Sequence, residues 1–205
     1  ACISRGIPIL FFVGRGRAFG SLVAGGMPNP LRLRAQYDLH SHAERRLELA
    51  RAIVAAKMDA MIRRTVRSAE GAAVRATIEA LRLRIGDAAD LDILDGLEGA
   101  ATRSYYGDFA ARVHVPEFAF QGRSRRPPRD PINSLLSFTY SLVFGELQTA
   151  LLTHGLDPHP GLLHSLRRNH PALASDLAEP YRSLIADTFV LTIVNSKRVA
   201  AAGYG

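Results

Sequence analysis

Apolar residues recur at two different spacings along this chain, and the spacing changes near residue 30. Before that point, apolar runs at 7–13 and 18–23 flank a glycine-containing turn, which predicts two β-strands, the first of them buried. Glycine and proline then crowd together and predict a linker, because neither residue continues a helix or a central strand. Beyond the linker, apolar residues recur every three or four positions, a spacing that predicts helices.

Glycines and prolines divide the helical region. Pro131 suits the first position of a helix, and Gly155 suits the position just after one. Pro116 and Gly122 help to break any helix at 114–129, so this segment is predicted to be a long loop. The fold class is therefore predicted to be mainly α. The predicted helices cover 44–67, 69–85, 87–113, 130–153 and about 175–195.

Composition narrows the class of protein. With 205 residues, 47% of them hydrophobic, the chain can bury a sizeable core, which argues against a disordered chain. Lys and Arg exceed Asp and Glu by 26 to 19, a formal net charge of +7, which favours a polyanionic partner such as nucleic acid. Charge alone does not distinguish a nucleic-acid-binding protein from a ribosomal protein or one that binds a membrane surface.

Cysteine usage and hydropathy suggest a compartment. Cys2 is the only cysteine, so an internal disulfide and a thiolate zinc site are both excluded, and a reducing compartment is expected. The apolar run at 7–13 contains a proline and is too short to span a bilayer, and no signal-peptide pattern opens the chain. The expectation is a cytoplasmic protein with no membrane partner.

Candidate metal ligands gather in the segment 155–187. His164 follows an apolar run, and Asp176 and Glu179 stand three residues apart at the predicted start of the last helix. One imidazole and one or two carboxylates are what a divalent cation takes from a protein when it keeps positions open for water and substrate. The same carboxylates also fit a helix start, with Asp176 as N-cap, Glu179 at the third position and Pro180 in the first turn. Both interpretations stay open.

Two further features bear on chemistry. Glu98 stands between Gly96 and Gly99 in a predicted helix, where each glycine costs roughly 1 kcal/mol relative to alanine. Either the close approach of a backbone, metal or phosphate compensates for that cost, or tight helix packing does. The loop at 114–129 carries clustered arginines, whose planar guanidinium groups suit phosphate oxygens. The predicted DNA-binding residues are Arg123, Arg125, Arg126 and Arg129.

Three ordered blocks of the sequence resemble one family. The most diagnostic is GLDPHPGLLH at 155–164, followed by ALASDLAEPYRSLIAD at 172–187. Upstream lie GLEGA at 96–100 and FQGRSRRPPRDPIN at 120–133, the latter running into LLSFTY. Together these blocks resemble the CRISPR-associated spacer-acquisition integrases, the endonucleases that insert new spacers into CRISPR arrays.

The resemblance implies a site and a reaction. Position by position, Glu98, His164 and Glu179 match the family's ligands for a divalent metal, Mg²⁺ or Mn²⁺. Asp176 matches a second acidic position beside them, so all four residues are predicted to be catalytic. Many relatives carry Asp where this chain has Glu179, so the reach of that ligand differs. The implied reaction is metal-dependent attack of a DNA 3′-hydroxyl on a phosphodiester.

The resemblance also implies partners and a domain order. The expected partners are protospacer and CRISPR repeat DNA, a second copy of the chain in a homodimer, and the small second subunit of the adaptation complex. The segment 1–23 is expected to be the remnant of an N-terminal β-domain, 24–33 a linker, and 34–205 an all-helical C-terminal catalytic domain, in a chain truncated at both ends.

Two alternatives from other classes remain. The first is a non-catalytic, basic helical DNA-binding domain, in which Asp176 and Glu179 only cap a helix. The second is a purely structural helical module with solvated arginines. Metal-dependent DNA cleavage separates the integrase from both alternatives, and salt-dependent DNA binding separates the two alternatives from each other.

Overall fold

The computed structural model describes residues 1–5, 7, 9–13, 17–22, 29–65, 68–124 and 127–201. At the N-terminus, strands β1 (Ile9–Val13) and β2 (Arg17–Leu22) pair antiparallel, with an irregular register between Phe11 and Phe12. Both predicted strands are confirmed. At Phe11 the first strand is not buried as predicted, since this side chain is 47% exposed. A two-stranded hairpin cannot by itself cover its own faces.

The rest of the described chain is mainly helical, as predicted. Asn29 caps the first helix by accepting a hydrogen bond from the backbone N–H of Leu31, so this helix begins inside the segment 24–33 predicted as a linker. Positions 24–28 of that segment lie outside the described residues. The longer helices are α1 (Pro30–Ser41), α2 (Ala43–Ile62), α3 (Ala69–Leu83), α4 (Leu91–Ala111), α5 (Pro131–Thr153), α6 (Ala172–Tyr181) and α7 (Thr188–Asn195).

The chain divides into two compact units. The first comprises 1–53 and 141–178, and the second comprises 54–140 and 179–205. The division therefore falls within α2, α5 and α6. The separation into 1–23, 24–33 and 34–205 rests on sequence patterns and family resemblance, and it stays a prediction.

A leucine-rich cluster holds the first unit together. Polar contacts also join α1 to the segment after α5: Tyr37 donates to the Asp157 carboxylate at 2.6 Å, and the Gln36 side chain donates to the Asp157 carbonyl at 2.6 Å. The cluster consists of Leu151, Leu162, Leu173 and Ala174, with Leu39, Ile53, Phe144, Leu156 and Leu177 packed against it.

The core of the second unit combines aliphatic and aromatic side chains. Phe109 on α4 contacts Phe120 edge to face, with ring centroids 5.0 Å apart, and Tyr106 lies 6.0 Å from both rings. Such edge-to-face pairs stabilise a core beyond the area that they bury. These contacts hold the segment after α4 against that helix. Other fully buried side chains are Met58, Ile78, Leu94, Ile132, Leu136, Val190 and Val194.

Among the described helices, α5 is long and apolar enough to cross a membrane by length and composition alone. Core helices of soluble proteins pass the same test, and Ile132 and Leu136 on α5 are fully buried. Asn133 and Tyr140, on the same helix, make side-chain hydrogen bonds to Arg123 and Asp187. The length and apolar composition of α5 are therefore weak evidence for a membrane span.

Helix α6 begins earlier than its sequence pattern predicts. Its first turn starts at Ala172, and the N–H of Leu173 donates to the Pro158 carbonyl at 2.9 Å. Asp176 therefore lies inside the helix, and the N-cap interpretation of Asp176 is wrong. Pro180 also lies inside the helix rather than in its first turn, and a wider π-helical turn follows at Arg182–Asp187.

Candidate active site

Two carboxylates and one ammonium group form a buried cluster in the second unit. Glu98 on α4 and Glu179 on α6 both accept hydrogen bonds from Nζ of Lys57 on α2. The Lys57–Glu179 distance is 2.5 Å, and these two residues are 4% and 3% exposed. Buried charges of this kind require partners of opposite sign. The fold thus draws Glu98 and Glu179, hereafter the carboxylate pair, onto one cation.

Each member of the carboxylate pair has a second polar contact. Thr102, one turn after Glu98 on α4, donates its hydroxyl to Glu98 Oε1 at 2.8 Å. Arg182 lies 3.1 Å from Glu179 Oε1, and its guanidinium group lies over the ring of Tyr140. Burial lowers the pKa of Arg182, but Glu179 and its other neighbours outweigh this and hold the pKa above its ordinary value. The cluster therefore combines two carboxylates with two cations.

His164 and Asp176 form a second polar cluster, in the first unit. The fully buried Asp176 carboxylate accepts a hydrogen bond from His164 Nδ1 at 2.5 Å. It also accepts the backbone N–H groups of Leu162, Leu163 and His164, at 2.5, 2.9 and 3.1 Å. A carboxylate on one ring nitrogen fixes the orientation of a histidine and directs the other nitrogen towards a ligand. Asp176 therefore holds the loop and orients His164.

The loop at 161–164 is tied down from both sides. His40 Nδ1 lies 2.7 Å from the carbonyl oxygen of Gly161, and Arg46 donates to the carbonyl oxygen of Leu162 at 2.8 Å. His170 meets the ring of His164 edge-on at 6.3 Å. Burial, followed by the electrostatic effect of the neighbouring His164, lowers the pKa of His170. These contacts fix the backbone that carries His164.

The donor groups can be tested against the implied divalent metal. Carboxylate oxygens suit Mg²⁺ and Mn²⁺, and the Lys57 ammonium stands where a cation shared by Glu98 and Glu179 would bind. The carboxylate pair therefore fits such an ion. Within the described ranges, no group of three or more His, Cys, Asp and Glu side chains is placed to hold a metal. The convergence of His164 with the carboxylate pair stays a prediction.

A cleft of about 580 Å³ opens in the second unit. Thr102 lines this cleft and also donates to the partly buried Glu98 carboxylate. Arg103, Tyr106 and Gln121 line it as well. A basic and aromatic lining of this type can contact both the phosphates and the bases of a nucleic acid.

The four predicted DNA-binding arginines differ in their surroundings. Arg123 donates to the Asn133 side chain at 2.7 Å and to the Ser137 hydroxyl at 3.0 Å, and it lies over the ring of Tyr140. Its guanidinium group thus fastens the loop to α5. Arg129 is exposed. Arg125 and Arg126 lie outside the described residues, and DNA contact by all four stays a prediction.

A chain of buried hydroxyl groups ends on an acid in the second unit. Tyr106 and Tyr140 share a hydrogen bond of 2.7 Å, and Tyr140 donates to Asp187 Oδ1 at 2.5 Å. Burial raises the pKa of Asp187 to about 6, against the opposing effect of the Tyr140 hydrogen bond. Burial also raises the pKa of Tyr106 to about 12. Asp187 is the buried group of this network that titrates nearest to neutrality.

Sequence patterns did not single out Lys57, Thr102 or Asp187 as site residues. A signal was available for Lys57, because it stands three residues after Val54 and one before Met58 on the apolar face of α2, where a lysine is unusual. Thr102 follows Glu98 by four residues, a spacing that brings side chains together on a helix. Asp187 lies in the last predicted helix, and its partner Tyr140 is 47 residues away in sequence.

The described part of the chain is thus a mainly helical protein in which two carboxylates from separate helices share one buried cation. The family model for CRISPR associated protein Cas1 matches residues 1–204. The chain therefore belongs to the Cas1 family.

Individual relatives agree with this assignment. The chain is 38% identical over 201 residues to CRISPR-associated endonuclease Cas1 3 of Thermus thermophilus, covering 97% of the chain and 59% of that relative. A solved Cas1 protein from Thermotoga maritima matches 97% of the chain and 63% of its own length, with 26% identity and a TM-score of 0.82. A solved Cas6-RT-Cas1–Cas2 complex matches 96% of the chain and 22% of its own matching chain, with 27% identity and a TM-score of 0.80. The chain spans about 60% of the length of the curated relatives that it matches.

Proposed function

We propose that this chain is the helical catalytic part of a metal-dependent DNA endonuclease and integrase, which inserts new spacers into a CRISPR array. The observation that carries the proposal is the carboxylate pair. Glu98 and Glu179 come from separate helices, 81 residues apart, and still converge on a single buried cation. Membership of a family whose curated relatives are named endonucleases supports the same activity.

Three side chains of the protein would act as ligands for a divalent metal ion. Glu98 and Glu179 would supply carboxylate oxygens, and His164 would supply its Nε2, because its Nδ1 donates a hydrogen bond to Asp176. When bound, a divalent metal supplies Lewis-acid stabilisation of the charge that develops on a phosphodiester. The histidine makes Mn²⁺ at least as suitable as Mg²⁺, which prefers oxygen ligands.

Helix α6 links the two clusters along the chain. Asp176 and Glu179 stand three residues apart on this helix, a spacing that places two side chains on one face. The orienting carboxylate for His164 and the second member of the carboxylate pair thus stand on the same helix. This arrangement supports a joint role for the four predicted catalytic residues.

The proposed partners follow from charge and from similarity. The net charge of +7 and the lining of the cleft suit DNA, namely protospacer and CRISPR repeat. The similar Cas6-RT-Cas1–Cas2 complex supports a second subunit as a further partner. Homodimerisation and a cytoplasmic location, without a membrane partner, complete the proposal. The single cysteine is consistent with a reducing compartment.

Strand cleavage and joining with Mn²⁺ on a labelled DNA duplex test the function. Glu98→Gln keeps the size of the side chain and removes the charge, so we expect turnover to fall at least about 100-fold, more than a typical orienting residue costs. Asp176→Asn removes the charge that orients His164 and should lower metal affinity by about 10- to 100-fold. DNA binding, measured by fluorescence anisotropy, should persist in both variants.

Glu117→Gln is the matched control, because Glu117 is an exposed carboxylate on the loop after α4. Its turnover should equal that of the unaltered protein. Full metal-dependent turnover in Glu98→Gln would remove Glu98 from the ligand set. DNA binding without cleavage in the unaltered protein would instead favour the basic helical DNA-binding domain.

A further inference from the structure

Lys57 is unusual among the basic residues of the second unit because its charge is almost entirely enclosed. Its side chain is 5% exposed, and its ammonium group contacts Glu98 Oε1 and Glu179 Oε2. An ammonium group has three donors and no acceptor, so it cannot itself be a metal ligand. Lys57 therefore occupies the space between the two carboxylate oxygens that a shared metal ion would need.

We propose that Lys57 is an internal counter-ion that a divalent metal must displace, so that Lys57 sets the affinity of the site for metal. The proposal rests on the metal-dependent function proposed above. Two like charges cannot share the same two oxygens in a buried site, because their repulsion is weakly screened there. Metal binding therefore includes the cost of moving Lys57 away from Glu98 and Glu179.

The carboxylate pair does not depend on Lys57 alone for its positions. Thr102 donates to Glu98 at 2.8 Å, and Arg182 lies 3.1 Å from Glu179. When Lys57 moves, each carboxylate keeps one contact that fixes its side chain. The site before metal binding is thus close to charge balance, and the carboxylates are already oriented for a cation. If Lys57 only held the two carboxylates in position, its removal would weaken metal binding rather than strengthen it.

The test is direct titration of the purified protein with Mn²⁺. Binding is measured by calorimetry and by the electron paramagnetic resonance signal of free Mn²⁺. Lys57→Met keeps much of the side-chain volume and removes the charge. We expect it to bind Mn²⁺ on the order of tenfold more tightly or better, because an opposing charge has been removed from a weakly screened site. Its melting temperature without metal should fall, and Mn²⁺ should raise it more than in the unaltered protein.

Two controls and one second-site variant make the result specific. Arg82→Met removes a half-buried cation that pairs with Asp59 and does not contact the carboxylate pair, so it should leave Mn²⁺ affinity unchanged. Lys57→Arg keeps the charge and should keep the weak affinity. Adding Glu98→Gln to Lys57→Met should abolish the gain, which would assign the gain to this site.

Equal or weaker Mn²⁺ binding by Lys57→Met would overturn the proposal while leaving the metal-dependent function standing. Absence of Mn²⁺ binding in both the unaltered protein and Lys57→Met would overturn both. If Lys57→Met does not fold, Lys57→Gln decides, because its amide can still donate hydrogen bonds without a charge. Tighter binding by Lys57→Gln than by the unaltered protein supports displacement, and equal binding refutes it.

Discussion

Asp187 is predicted to make the stability of the protein fall as pH rises towards neutrality. The residue is 1% exposed, and it accepts a hydrogen bond from Tyr140. Burial raises the pKa of Asp187 from 3.8 to about 6. The folded protein therefore retains a proton on Asp187 at a pH where the unfolded chain has lost it. Asp187→Asn removes this titration and keeps an oxygen that can accept from Tyr140.

The size of the effect follows from linkage between proton binding and folding. Between pH 4 and 6 the folded state binds about one proton more than the unfolded state, so the free energy of unfolding falls by up to about 1.4 kcal/mol per pH unit. The interval from 3.8 to about 6 gives a total of about 3 kcal/mol. Above the folded-state pKa, the loss is complete.

Urea unfolding monitored by far-UV circular dichroism measures this quantity at pH 4, 5, 6 and 7. Other groups titrate in the same range, so the useful quantity is the free energy of unfolding of Asp187→Asn minus that of the unaltered protein. This difference should increase by up to about 3 kcal/mol from pH 4 to pH 7. Any constant cost of burying the asparagine amide cancels from the pH dependence.

A difference that stays flat from pH 4 to pH 7 would refute the raised pKa of Asp187. Tyr140→Phe provides an independent check, because the Tyr140 hydroxyl favours the charged form of Asp187. Its removal should shift the midpoint of the pH dependence to a higher pH. A midpoint that does not move would show that the Tyr140 hydroxyl does not influence the pKa of Asp187.

The remaining predictions concern the loop that carries His164 and the DNA surface. Gly161→Ala should destabilise the protein by about 1–3 kcal/mol in urea unfolding, because an added Cβ would lie 2.6 Å from Ala172 Cβ and 2.7 Å from the His164 carbonyl oxygen. Gly107→Ala, whose Cβ meets no atom within 4 Å, should be neutral or stabilising. An equal loss of stability in both variants would contradict the proposed crowding at Gly161. Arg129→Ala should reduce the slope of log K against log salt by about 0.9 if this exposed residue contacts one phosphate. An unchanged slope would show that Arg129 does not contact a DNA phosphate.

Most of the helices could be predicted from the sequence because their determinants are local. The periodic apolar residues of α3 and α4, and Pro131 at the start of α5, identified these helices to within a few residues. Helix α6 was harder to predict. Its first turn is completed by the Pro158 carbonyl, which accepts from Leu173, and a partner 15 residues away leaves no pattern in the helix itself.

The side chains of the candidate site, like the helices, depend on both local sequence and contacts that are distant in sequence. Family resemblance identified Asp176 as a site position, but pattern could not distinguish a cap from a buried acceptor of three backbone N–H groups. Arg123 is predicted to face DNA because guanidinium groups suit phosphates, and that contact stays a prediction. The fold also uses Arg123 to fasten the loop to Asn133 and Ser137, which the sequence pattern did not indicate. Which partner a charged side chain finds depends on packing that only the folded structure specifies.

One backbone irregularity connects the carboxylate pair to the tyrosine network. Pro180 lacks an N–H, so the helical hydrogen bond to the carbonyl of Asp176 cannot form, and a π-helical turn follows. A π turn has a wider repeat than an α-helix, so it rotates every later side chain around the axis relative to a regular helix. Glu179 lies just before this change and bonds to Lys57, whereas Asp187 lies at its end and bonds to Tyr140. The π-helical turn thus changes the direction of Asp187 around the axis relative to Glu179, and the two acids bond to different partners in the second unit.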